Sequence, residues 1–537
     1  MSTSKPNDLA PGSDSVTLRV TTEDKSAEIF IIDGQFNLVA RGIGPEREFA
    51  LGPGLYKVKV AAGGETHEEQ VALRPGSAPV LQNFSRLVFA SPAPLADTSK
   101  THEFHIVAAD EHSRRVHVQA GAGSQIFVFA RGWTEKQRTD SDTHQRQHPA
   151  TGLKLLNETG ETAVVDFETQ SEKDLGWEPW AACNVSVNPG NYRLRLDVPS
   201  LNGTIEQTVV ASPGWQTQIF LLQRDYSEDQ PQAESPTASR KQADLLNASV
   251  LMSRGGFDYD RNDLRSVELA RLALTNQRKV LSGELSQLLR DKFENPMLGI
   301  FGAHLLLLDN EPDKELFGIV VNKLRDLVGP AHPDVEALAL QLPQSSNYQF
   351  KSPPMLQRSW SLICQATADK PELVPSESVL AGVSGSWWGN SIWLSWLTPQ
   401  PGSENDSDEA SDESELGNVE EAILLKLKSA TYKERRSRSR SRRKPLAVED
   451  ERQKRAPTAA AMAVGAESMS IEDTQAAEVE SASAVEADNE LTSAVQQISA
   501  DPETIKNLTR QLGVPRSVVE KSVETLKQKI SDKRARQ

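Results

Sequence analysis

Cysteine is nearly absent. Only Cys183 and Cys364 occur in 537 residues, far apart, so no disulfide framework stabilises the chain and a reducing compartment is expected, with the cytoplasm as the default. Long apolar runs are missing as well: the longest, "MLGIFGAHLLLL" at 297–308, carries His304 and falls well short of the ~20 residues a membrane-spanning helix needs. It reads as a buried helix. "MSTSKPNDLAPGSDS" at 1–15 has no basic start followed by an apolar core, unlike a secretory signal. No Walker loop is present. "GAGSQ" at 121–125 lacks the third glycine of a dinucleotide loop, and "GVSGS" at 382–386 lacks the last glycine of a nucleophile elbow. His102, His105, His112 and His117 lie in a stretch that reads as strand, where positions i and i+3 face opposite sides, so no metal site is expected there. His304, on an apolar helix, reads as a satisfied core histidine. The expectation is a chain without cofactor or metal and without catalysis; an unrecognised hydrolase is the second alternative to the reading reached below.

What is present is a doubled phrase. "LGPGLYKVKV" at 51–60 and "VNPGNYRLRL" at 187–196 each place a Pro-Gly turn before an alternating strand. Tyr56, Val58 and Val60 point one way and Lys57 and Lys59 the other; Tyr192, Leu194 and Leu196 repeat this against Arg193 and Arg195. Period two with cations on the outer face describes a half-buried strand. The preceding Pro-Gly suits a type II turn. "AEIFII" precedes the first copy and "SQIFVF" the second; "GGETHEEQVALRPG" and "NGTIEQTVVASPG" follow them. Short strands bounded by Gly, Pro and Asn predict antiparallel β-sandwich modules at 15–85 and 102–224, the second enlarged by loop insertions.

A strand with "IFIIDG", then "LGPGLYKVKV" and a closing "VAL" resembles the small bacterial immunoglobulin-like modules of the PEGA and carboxypeptidase-regulatory-like type. The resemblance covers about a third of the chain. It implies a fold and an adhesive or spacing role in a larger bacterial assembly. If binding occurs on this half, the insertion is the place, with Trp133, Trp177 and Trp180 near its ends.

Residues 225–241 are polar and read as a linker. The period then changes to that of helices. Leu281, Leu285, Leu288 and Leu289 form one stripe, and Phe317, Val320, Val321, Leu324 and Val328 another. An α-helical bundle domain is predicted over 243–398, with helices near 264–279, 281–293, 297–308 and 314–328. Its end is rich in tryptophan: Trp360, Trp387, Trp388, Trp393 and Trp396 are five of the nine in the chain. They either cap the helices or dock a protein, and Trp387, Trp388, Trp393 and Trp396 are the candidate docking residues.

Beyond 399 charge separates into blocks. "SENDSDEASDESE" is acidic, "KERRSRSRSRRK" at 433–444 holds eight basic residues in twelve, and 457–500 has no Lys or Arg. A disordered tether over 399–500 is expected. Arg435, Arg436, Arg438, Arg440, Arg442 and Arg443 are the candidate phosphate contacts. Residues 501–534 form a short helical hairpin that resembles a helix-turn-helix, with Gly513 at its turn and Arg516 and Lys521 beside Glu520 and Glu524.

The fold class expected is multidomain α+β: two β-sandwich modules, a helical bundle domain, a charged tail and a terminal hairpin. The function expected is a scaffold or adaptor that binds proteins, among them a separately encoded peptidase or signalling enzyme. The alternative is a nucleic-acid-associated protein using the arginine block and the tail.

Overall fold

The computed structural model describes residues 15–23, 27–62, 65–85, 88–96, 98–132, 148–201, 203–226, 241–276, 289–290, 293–309, 312–343, 348–399, 419–420, 422–424, 426, 495 and 501–536. By contact the chain divides into two compact units, 1–366 with 372–406, and 367–371 with 407–537. The fold mixes helices with several sheets. Among the described residues no helix is long and apolar enough to cross a membrane.

The first unit begins with β1 (Val16–Thr22), β2 (Glu28–Asp33), β3 (Leu38–Ile43), β4 (Glu46–Leu51), β5 (Gly54–Ala62), β6 (Glu65–Leu73) and β7 (Val80–Phe84). They make two sheets, ordered β4-β1-β7 and β3-β2-β5-β6. In β1 the alternation is direct: Val16, Leu18 and Val20 are buried and Arg19 is exposed. One buried cluster draws on both sheets, joining those residues and Leu51 to Ile29, Ile31, Val58, Val60, Val71 and Leu73. Burial of each such side chain contributes about 1.5–3 kcal/mol.

The chain continues through β8 (Phe89–Ala90), β9 (Thr98–Ser99) and α1 (Glu103–Arg114) to β10 (Val118–Gln119), β11 (Ser124–Arg131), β12 (Leu153–Leu156) and β13 (Ala163–Asp166). Then follow α2 (Phe167–Gln170), β14 (Glu172–Asp174), β15 (Trp180–Val187), β16 (Gly190–Val198), β17 (Gly203–Ala211) and β18 (Gln216–Asp225). The doubled phrase is matched by a doubled pairing order. β1 pairs antiparallel with β4 and parallel with β7, and β11 pairs antiparallel with β15 and parallel with β18. β5 lies between β2 and β6 as β16 lies between β12 and β17. The tyrosines repeat too: Tyr56 Oη donates to Gly52 O and Tyr192 Oη to Asn188 O, each at 2.9 Å.

Two expectations are corrected here. By pairing, "SQIFVF" is the counterpart of β1 rather than of "AEIFII" in β2, because two short apolar strands look alike until their neighbours are known. The stretch from Glu103 to Arg114, expected as strand, is helix α1. Its buried residues His105, Ala108, Ala109 and Ser113 recur at helical spacing, with Glu103 in the first turn and Arg114 in the last, each favourable to the helix dipole.

The region 243–398 is not purely helical. β19 (Lys241–Ala243) and β20 (Ser249–Ser253) pair with β18, extending the sheet β10-β15-β11-β18-β19, while β21 (Ser395–Pro399) pairs with β17 in the sheet β13-β12-β16-β17-β21. The boundary expected after 241 is therefore crossed by strands: five consecutive buried residues, "SVLMS", fit a sheet interior as well as a helix. The helices are α3 (Asn262–Thr275), α4 (Pro296–Leu306), α5 (Lys314–Val328), α6 (Pro333–Ala339), α7 (Gln357–Thr367) and α8 (Val379–Val383). Residues 281–288 lie outside the described residues. Asn295 caps α4 by accepting from Met297 N, and Asp313 caps α5 by accepting from Leu316 N. Every residue of α4 is buried. A Cβ at Gly299 would stand 2.3 Å from the Phe293 ring, so glycine is what permits this approach. One core cluster runs through both later sheets and α3 to α6.

The second unit has α9 (Pro502–Leu512) and α10 (Arg516–Arg536). Between them Gly513 takes φ 66°, the left-handed conformation of a helix C-terminus. Ile505, Leu508, Val514, Val519, Val523 and Leu526 bury together with Ile423 and Val495. Apart from those last two and a few neighbours, the expected tether lies outside the described residues.

Candidate docking surface

The tryptophans at the end of the first unit turn inward. Trp393 is buried and its Nε1 donates to Ala248 O at 2.8 Å, holding the segment to the start of β20. Trp396, in β21, is wholly buried, with the Arg193 guanidinium 5.9 Å from its ring. Trp387 and Trp360 meet edge to face at 4.9 Å, and Trp387 meets Trp396 at 6.3 Å. Trp388 is half-buried against Tyr226 at 6.1 Å. The expected docking role of Trp393 and Trp396 is thereby corrected: these rings fix β21 and its approach segment onto the sheet. Trp387 and Trp388 are partly covered by the same packing.

Around α1 the arrangement is opposite. Phe104 and Val107, three residues apart on the outer face of the helix, are 46% and 56% exposed, and Trp177 is 60% exposed. His102 is the residue before the helix. Its ring stacks on Phe104 at 5.3 Å and its Nε2 stands 3.0 Å from Oε2 of Glu178, the residue after Trp177. Glu178 is buried, so this close approach brings His102, at the exposed edge, to the buried base. Beneath lies Arg131, fully buried: Nε donates to Pro92 O at 3.1 Å, Nη2 to Ser91 O at 3.0 Å and Nη1 to Lys100 O. Burial pushes its pKa down to about 9, opposed by Glu178. His105 is held neutral beside it: burial, then the Arg131 charge, push its pKa down to about 3. The base is thus rigid and the rim apolar, as a docking surface requires.

Trp180 is half-buried, stacked on Phe129 at 6.0 Å and tilted against His112 at 5.2 Å. His112 Nδ1 and His117 Nε2 are 3.2 Å apart, and His117 Nδ1 accepts from Asn184 N at 2.9 Å. Burial lowers the pKa of both. Among the described residues no three His, Cys, Asp or Glu side chains converge as a metal site. Trp133 and residues 133–147 of the insertion lie outside the described residues; Gly132, just before them, donates its amide to Pro179 O at 2.8 Å, beside Trp177 and Glu178.

The remaining candidates separate. Arg435, Arg436, Arg438, Arg440, Arg442 and Arg443 lie outside the described residues. In the second unit Arg516 Nε donates to Glu520 Oε1 at 2.7 Å, and Lys521 is exposed. His304, fully buried, is hydrogen-bonded to Ser359 Oγ at 2.9 Å; burial, with Arg358 adding, pushes its pKa down to about 3. Neither cysteine is in a disulfide and both are buried: burial pushes Cys183 up to about 12 and Cys364 well up. Neither is an activated nucleophile in this environment.

A period of two over 102–117 hides Phe104 and Val107. The missing signal was helical spacing, with His105, Ala108 and Ala109 forming the face opposite Phe104 and Val107.

No protein-family model matches the chain, and no curated protein matches it. A solved structure, the Bacillus anthracis TIE protein, is similar over 34% of this chain at 13% identity, with TM-score 0.15; the chain spans 29% of that structure's length. At that score the likeness carries no argument.

Proposed function

We propose that this chain is a non-enzymatic scaffold or adaptor of the cytoplasm that binds other proteins. In this reading β1 to β7 and β11 to β18 are two immunoglobulin-like β-sandwich modules of the PEGA-like and carboxypeptidase-regulatory-like kind. The second is fused to a helical layer, and a charged tether presents the terminal hairpin. The observation that carries the proposal is the apolar rim of Phe104, Val107 and Trp177 set on a buried polar base of Arg131, His105 and Glu178. Exposed apolar residues grouped and rimmed by polar ones mark interaction sites, whereas scattered ones do not. A separately encoded peptidase or signalling enzyme is the kind of partner we favour.

The test compares full-length wild type with the double variant Phe104→Ser, Trp177→Ser as bait in the native host, with partners identified by mass spectrometry. Central aromatic anchors carry most of an interface's energy, so the account predicts that at least one stoichiometric protein is lost about ten-fold or more while the melting temperature is unchanged. Recovery of nucleic acid with no protein companion, displaced by moderate salt, would instead favour the phosphate-binding alternative.

A further inference from the structure

The two copies differ in what lies on one sheet edge, and the difference points to a binding site. In the second copy Arg193 and Arg195 of β16 hold Glu206 of β17, at 3.2 and 2.6 Å. In the first copy Lys57 and Lys59 of β5 hold Glu68 of β6, at 3.0 and 3.5 Å. The registers coincide, since Arg195 faces Glu206 as Lys59 faces Glu68, and Tyr192 faces Val209 as Tyr56 faces Val71. In the second copy this triad is sealed. β21 pairs antiparallel with the free side of β17, Trp396 stands directly opposite Glu206, and Glu206 is left 1% exposed. In the first copy β6 pairs only with β5 among the described residues, and the Glu68 side chain is 40% exposed. The same charges stand under water where their counterparts stand under a tryptophan.

We propose that the outer edge of β6 accepts an extended strand from a partner protein, antiparallel, with an aromatic side chain opposite Glu68 and above Lys57. Main-chain hydrogen bonds to an open edge supply affinity in such strand addition, and the side-chain site supplies selectivity. Here the selectivity is cation–π. Lys57 is the counterpart of Arg193, whose guanidinium faces Trp396, and Lys57 already stands 5.8 Å from the ring of Phe36, which is 81% exposed. A second copy of this chain is a poor occupant, because β6 reads "ETHEEQVAL" and self-pairing brings carboxylates together across the edge. One departure sets the footprint. A Cβ at Gly203 would fall 2.9 Å from Thr398 O, so glycine admits the end of β21 there, whereas its counterpart in β6 is Glu65. The incoming strand therefore pairs over residues 66–69 and stops before 65.

This site is separate from the Phe104–Trp177 surface, so either can fail alone. The probe is a synthetic peptide carrying the β21 sequence Ser-Trp-Leu-Thr-Pro between pairs of lysines, added to the full-length chain. Hydrogen exchange is expected to slow in 66–69 and not in 38–43, the opposite edge of the same sheet. Replacing the peptide's tryptophan by alanine, or the variant Lys57→Ala, is expected to weaken binding about five-fold, in line with a cation–π contact. N-methylation of the peptide backbone is expected to abolish it, and Phe104→Ser, Trp177→Ser to leave it unchanged. Equal binding of the N-methylated peptide would overturn the proposal. So would protection at 38–43 alone, no protection at saturating peptide, or docking at 203–211 by displacement of β21.

Discussion

At the scale of single residues, the buried histidines tie stability to pH. His304 and His105 both have pKa values pushed down to about 3, by burial first and by a neighbouring arginine second. The unfolded chain protonates each near pH 6.5, while the folded chain stays neutral until about pH 3. Their contribution is therefore complete above the unfolded pKa and is lost as pH falls toward the folded one. Each histidine is expected to remove about 1.4 kcal/mol per pH unit across that window. His304→Gln keeps a hydrogen-bonding group for Ser359 and removes the titration. Denaturant unfolding from about pH 6 to pH 4 should show a slope shallower by about 1.4 kcal/mol per unit in the variant. Identical slopes would mean that His304 is solvated or protonated in the fold.

At the scale of elements, β21 shows how a short strand is held by few residues. Five residues pair with β17, and the bulk that fixes them is Trp396, enclosed by Trp387 and Arg193. Trp396→Ala removes that bulk and uncovers the Glu206 triad, so a loss of about 3–5 kcal/mol is expected, with faster amide exchange in 203–211. A loss under about 1 kcal/mol with β17 still protected would contradict the packing described. This is also the scale at which the sequence was least informative. The alternation through Tyr56 and Tyr192 and the glycine at 513 are local chemistry, legible in a few residues, whereas the Pro-Gly pairs do not make the expected type II turn: Gly190 takes φ 157° and Gly54 is not at positive φ. The pairing of β21 with β17 joins residues almost two hundred positions apart, and nothing in "SWLTP" names its neighbour. Period alone failed at α1, where histidines on both faces blur the contrast between inside and outside.

At the scale of the molecule, the doubled pairing order puts the same charge triad in two settings, one covered and one open, while the helical layer shares a core with the second copy. Tryptophan content marked the right segments without revealing which rings face solvent. Trp177 is displayed and Trp396 enclosed, because direction depends on strands that arrive from elsewhere. The central claim is that the apolar rim at α1 receives a protein. The most direct measurement is hydrogen–deuterium exchange of the full-length chain with and without the partner recovered by it. The account predicts slowed exchange in 103–114 and 175–180 when the partner is bound. Unchanged exchange in both segments, with protection elsewhere, would contradict it.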